Sequence, residues 1–203
     1  MATRFQEELN AGRFVVTGEA GPPKGVDLTR ALAEVEPLKD HLLAYNVTDN
    51  QASVMRVSSL VMSSVLLDRG LETIFQITGR ARNRLAIQAD LLGAAALGIK
   101  NLLCLSGDHG RWGDHSGAKN VFDLDSIHLI RLARNMVEQG CLDNGKPISP
   151  SPQFFIGAVA NPFAPPHDYR PYRLAKKVAA GARFIQTQLI YNVDRFRTFM
   201  SQV

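Results

Sequence analysis

Six short apolar runs, each cut off by glycine or polar residues, constrain this chain more than any other feature. They lie at 14–17, 42–47, 73–78, 101–105, 154–159 and 184–190. They recur mostly every ~30 residues, the size of one βα unit. Between them lie segments with helical signals, expected at 28–36, 53–69, 82–97, 122–137, 172–180 and 192–200, after a lead-in helix within residues 1–12. Strict alternation of this kind argues a parallel sheet with helices outside it. The fourth run is the most informative. Leu102 to Leu105 contains no polar residue, the pattern of a strand buried on both faces. It stops at Ser106-Gly107-Asp108, which is either a turn alone or a ligand-facing strand end.

Local signals set the expected boundaries. Asp27 is a candidate N-cap for 28–36, with Leu28, Leu32 and Val35 on one face and Pro37 near its end. Gly70, Gly98 and Gly181 close the helices before them. Leu85, Ala89, Leu92 and Ala96 are the expected inward face of 82–97. Asp123 or Asp125 begins the helix after the long glycine-rich loop 109–119. Loops of that length are more often functional than short ones. The choice of architecture lies between an open doubly wound sheet and a (β/α)8 barrel. No Gly-x-Gly-x-x-Gly follows the first run and there is no phosphate-binding loop motif, which lowers the nucleotide-binding Rossmann reading.

Composition excludes several classes. The 203 residues suffice for one sizeable core and one domain, here 1–203. No run approaches the ~18 apolar residues of a membrane span, and no apolar signal-peptide core follows Met1. Cys104 and Cys141 lie far apart, which fits a reducing, cytoplasmic setting without a disulfide framework. The net charge of +4 is scattered and lacks the aromatic interleaving of a nucleic-acid surface.

Parallel strands gather their last residues on one face. The set is Glu19, Asn46, Thr48, Gln76, Thr78, Asp108, Asn161 and Gln188. Two are carboxylates and the rest neutral hydrogen-bonders, which suits a planar ligand rich in heteroatoms. With His109 as the lone nearby histidine, a metal is not expected. Two carboxylates in one mouth allow divided roles, one as general acid and one stabilising positive charge, unless one or both merely cap loops or pair with Arg80 or Lys24.

Three pieces, in order, carry a family resemblance. They are Glu19 followed by Pro22-Pro23; Leu105-Ser106-Gly107-Asp108 after the fourth strand; and residues 179–188, Ala-Ala-Gly-Ala-Arg-Phe-Ile-Gln-Thr-Gln. Together they resemble the methylenetetrahydrofolate reductases, over about residues 13–203. The resemblance implies a TIM-type (β/α)8 barrel, FAD as cofactor, and reduction of 5,10-methylenetetrahydrofolate to 5-methyltetrahydrofolate in one-carbon metabolism. It implies that Glu19 is the acid that helps open the folate's five-membered ring. Asp108 would stabilise the cationic iminium between flavin and pterin, and Gln188 would contact the folate. It places Asn46, Gln76, Ser106, Gly107, Asp108 and Lys177 where the family holds FAD, with Val159 and Asn161 beside its adenosine or phosphate region.

The chain departs from the family's pattern at Ala20-Gly21, where aromatic residues are common, at Ser106, often Arg, and at Gln76, often His. These departures suggest a divergent branch, its electron donor NAD(P)H or a reduced carrier protein. Such a barrel typically needs ~250 residues, and only six βα units are present. A truncated chain, or closure by another segment or subunit, is therefore expected, as a homo-oligomer or within a larger complex. Two other readings stand beside a reductase: a non-catalytic folate- or flavin-binding subunit, and a pterin-dependent methyltransferase-like barrel.

Overall fold

Six strands pair in the order in which the chain makes them. In the computed structural model, which describes residues 2–203, they are β1 (Thr17–Ala20), β2 (Ala44–Val47), β3 (Thr73–Thr78), β4 (Asn101–Leu105), β5 (Phe155–Ala160) and β6 (Phe184–Thr187). Every neighbouring pair is parallel and the order is β1-β2-β3-β4-β5-β6. A doubly wound sheet reverses its strand order part-way; this one never does. It is a curled, six-stranded α/β sheet of the kind from which TIM-type barrels are built.

Helices α1 (Arg4–Asn10), α2 (Thr29–Val35), α3 (Ser59–Leu67), α4 (Arg84–Ala96), α5 (Ser126–Glu138), α6 (Tyr169–Ala180) and α7 (Val193–Met200) complete the alternation. The register places Glu19 opposite Asn46, Asn46 opposite Ile74, Ile74 opposite Asn101, and Asn101 opposite Phe155. In a parallel sheet those residues share one face. Ala44, Ile74, Leu103 and Phe155 of that face pack with Phe5 of α1. Phe5 lies edge-on to Phe184 at 5.2 Å, and Glu72 accepts its backbone N–H. Glu72 precedes β3, so α1 covers the amino ends of the strands. The opposite face, with Phe75, Ile77, Leu102 and Cys104, packs against Ile87, Leu91, Leu129 and Ala133 of α4 and α5.

Several boundaries differ from expectation, each for a local reason. β1 begins at Thr17, where the run 14–17 ends, because Val16 is the last residue before the ladder and its carbonyl takes the N–H of Leu43. Phe14 is 93% exposed, while Val15 alone of that run packs inward. Glu19 consequently sits inside a strand. The helix expected from residue 53 starts at Ser59, because Ser58 caps it by accepting the N–H of Leu60. The inward face of α4 is Ile87, Gln88, Leu91 and Ala94; Leu85 is 74% exposed. α5 starts after Asp125, whose carboxylate accepts the N–H groups of Ile127 and His128. Asp27 sits one residue outside the cap position of α2 and accepts from Thr29. β6 stops at Thr187, leaving Gln188 just beyond it, its N–H on the carbonyl of Ala160. Strand β3 and the helix within 1–12 fall as expected, although Met1 lies outside the described residues.

Candidate ligand cleft at the strand ends

The carboxyl ends of the strands open onto a cleft of about 620 Å³. That size is ordinary for a small-molecule site. Glu19, Gln76, Ser106, Gly107, Asp108, Val159, Lys177 and Gln188 all line it. They come from β1, β3, the loop after β4, β5, α6 and the end of β6, so only the sheet's curl brings them together.

Two expected residues lie elsewhere. Asn46 is buried beside β1, donating weakly toward Gly18 and Thr17, and its Oδ1 has no hydrogen-bond partner. Asn161 accepts the N–H groups of Phe163 and Ala164. It lines a smaller cavity of about 170 Å³ that shares Val159, Arg173 and Lys177 with the main cleft.

Gly107 shapes the wall. Its φ is +87°, a conformation that side chains rarely adopt. A Cβ there would lie 3.0 Å from the Cβ atoms of Thr78 and Arg80. The backbone can therefore press against β3 and then turn Asp108 outward. Ser106 ties the same loop to α5 by accepting the N–H of Ser126 at 3.1 Å. The loop after it is pinned too. Asp114 accepts from the backbone of Met55 at 3.0 Å and from Lys24 at 3.2 Å. Its hydrogen bond with His115, ahead of that with Met55, holds its carboxyl below the usual range. His109 is a surface residue that caps the turn at Arg111.

The electrostatics are uneven. Glu19 and Asp108 are exposed and pair with no basic side chain among the described residues. Lys177 is buried, its ammonium donating to the carbonyl of Val159. Burial first, then the nearby Arg173, lowers its pKa to about 8. In the wall of the cleft, Asp49 is buried and accepts from the N–H and hydroxyl of Thr78 at 2.9 and 2.8 Å. Arg82 bridges it to Asp90, at 2.7 Å to each. Thr48 Oγ1 and Ser126 Oγ line the cleft, are buried, and have no partner. Cys104 faces the helices, and burial pushes its thiol well up.

Sequence reasoning missed Asp49, Arg82, Ser126 and Arg173, and treated Arg80 only as a possible partner for a carboxylate. Asp49 and Arg80 each follow a strand closely, which is the one signal that was available.

A curled parallel sheet with a polar cleft at its carboxyl edge defines an α/β protein of the TIM-barrel type, and the cleft lies at the end where such folds place their ligands. A family model for methylenetetrahydrofolate reductase matches residues 4–203, and the chain belongs to that family. Among solved structures, an uncharacterized protein from Clostridium thermocellum that binds two copies of 5-methyl-5,6,7,8-tetrahydrofolic acid aligns with a TM-score of 0.64 at 14% identity. The match covers 97% of this chain and 62% of that one. A 2,3-dimethylmalate lyase of the PEP mutase/isocitrate lyase superfamily aligns equally well, with a TM-score of 0.64 at 11% identity, covering 100% and 68%. At such identities the likeness is one of fold. No helix among the described residues is long and apolar enough to cross a membrane.

Proposed function

We propose that the chain is the catalytic barrel, or most of it, of a flavin-dependent reductase that converts 5,10-methylenetetrahydrofolate to 5-methyltetrahydrofolate. The observation that carries this reading is the convergence of Glu19, Asp108, Gln188 and Lys177 on one cleft, from strands and loops far apart in the chain. The family match and the folate bound by the Clostridium protein support it.

The cleft suits FAD. It offers buried hydroxyls without partners at Thr48 and Ser126, a backbone bare of Cβ at Gly107, and a cation at Lys177. Gln76, Ser106, Gly107 and Lys177 would hold the flavin, with Val159 at the boundary to the smaller cavity that Asn161 lines. Asn46, on the same sheet face as Glu19, would act through its unpartnered Oδ1. Bound flavin supplies the hydride; the protein positions it. Gln188 orients the pterin by hydrogen bonds. Glu19 gives a proton to the folate nitrogen that leaves as the five-membered ring opens. The carboxylate of Asp108 faces the iminium cation so formed and stabilises it electrostatically. That cation accepts hydride and becomes the N-methyl product. NAD(P)H or a reduced carrier protein replenishes the electrons. The sheet forms six units of an eight-unit barrel in one domain, completed by further chain or a second subunit.

The absorbance spectrum of the purified protein tests the reading. Flavin bands, or their appearance on titration with FAD, are expected. A colourless protein that binds folate but no added FAD favours the methyltransferase-like or non-catalytic alternatives.

A further inference from the structure

Arg80 is buried, 5% exposed, at the end of β3. It makes no side-chain hydrogen bond, and no carboxylate of the described residues lies within 4.0 Å of it. Its neighbours in the run 80–84 behave differently. Arg82 is clamped by Asp49 and Asp90, and Arg84 by Asp123 and Asp143. A guanidinium cannot shed its proton in a protein, and although the residue as a whole is buried, none of its nitrogens is sealed from solvent, so its donors are open to the two cavities it lines. Its carboxylate neighbours are spoken for or turned away: Asp49 is held by Arg82, while Asp108 projects into the cleft unpaired. Arg80 forms the wall between the main cleft and a second groove of about 220 Å³, which also contains Lys119 and His115. Its Cβ sits against Gly107.

We propose that Arg80 is an anion-binding residue whose guanidinium pairs with a phosphate or carboxylate of the bound ligand. A planar fork of donors fits either group bidentately. On the functional reading above, the anion belongs to the flavin's phosphates or to the folate's glutamyl tail, and the choice of source rests on that reading. The anion site itself does not.

Inorganic pyrophosphate is the deciding probe, since it requires neither flavin nor folate. It is expected to raise the melting temperature of the wild-type protein, and to do so less or not at all in Arg80→Met. The variant without ligand should melt close to wild type, because the guanidinium it removes makes no hydrogen bond or ion pair among the described residues. Should Arg80→Met fail to fold, Arg80→Lys carries the same comparison, with the fork lost and the charge kept. An equal response to pyrophosphate in wild type and variant, including none in either, overturns the proposal. Two further arms assign the source. A loss of affinity of about tenfold or more for FMN but not riboflavin marks the flavin phosphate. The same loss for 5-methyltetrahydrofolate, but not for a pterin lacking the glutamate, marks the tail. Pyrophosphate protection that depends on Arg80 in a protein that binds no flavin keeps the site and removes the flavin reading.

Discussion

Of the three acids that line the cleft, Asp49 holds Arg82, whereas Glu19 and Asp108 have no basic partner among the described residues. On the proposed function Glu19 supplies a proton and Asp108 faces the cationic intermediate, so the charge of Asp108 is the one that stabilises it. Asp108→Asn keeps the shape and removes the charge. It should slow folate reduction by about a hundredfold or more while changing reduction of the flavin little. Stopped-flow traces of the two half-reactions would show it, and equal losses in both would contradict the role. Lys177 gives a second test. Its pKa in the fold, about 8, lies below that of an unfolded lysine. Between those values the unfolded chain binds the extra proton, so stability rises with pH from about 8 upward until the unfolded lysine also titrates. Melting temperature against pH, wild type minus Lys177→Met, should show that rise. A flat difference would mean that Lys177 titrates normally. Both carboxylates were legible in the sequence because they end or follow apolar runs. The isolation of Arg80 was not, since whether an arginine is paired depends on which distant aspartates the fold brings near.

At the scale of single elements, legibility followed burial. β3 is buried at all six positions, so its apolar run marks it directly. β1 is four residues long and half exposed, and the apolar residues before it misplaced its start. α4 is rich in leucine and alanine on several sides, so two inward faces fit its spacing, and packing on Ile99 and Leu102 selects Ile87, Leu91 and Ala94. The start of α3 was hidden because its apolar residues continue upstream, and Ser58 rather than hydrophobicity decides it. Glycine in β5 has a meaning visible only in three dimensions. A Cβ on Gly157 would lie 2.2 Å from the Phe184 ring, which stacks on Phe155 at 5.1 Å. Gly157→Ala should therefore push β6 outward. Overpacking of this kind is expected to destabilise by about 1–3 kcal/mol, a fall of roughly 2–12 °C in melting temperature for a chain of this size. An unchanged Tm would show that Phe184 moves aside freely.

The whole molecule is built on one sheet whose pairing and packing are fullest at its centre. β3 and β4 are paired on both sides and flanked by helices and by the Phe5 cluster, whereas β1 and β6 each have one unpaired edge. The strand alternation made the parallel order readable, because each helix returns the chain to the same end of the sheet. The curl, and the cleft it creates, depend on contacts between distant residues, such as those of Phe5 with Phe155 and Phe184, which the strand pattern does not show. Local opening follows buried contacts, so amide hydrogen exchange should be slowest across β3 and β4. It should be fastest, by orders of magnitude, in Thr17–Ala20 and Phe184–Thr187. Unpaired edges also invite another strand. If further chain or a second subunit closes the barrel, adding it must slow exchange at both margins together while leaving the centre unchanged. Slowing at one edge alone would mean an extended open sheet, and uniform exchange across all six strands would refute the graded picture.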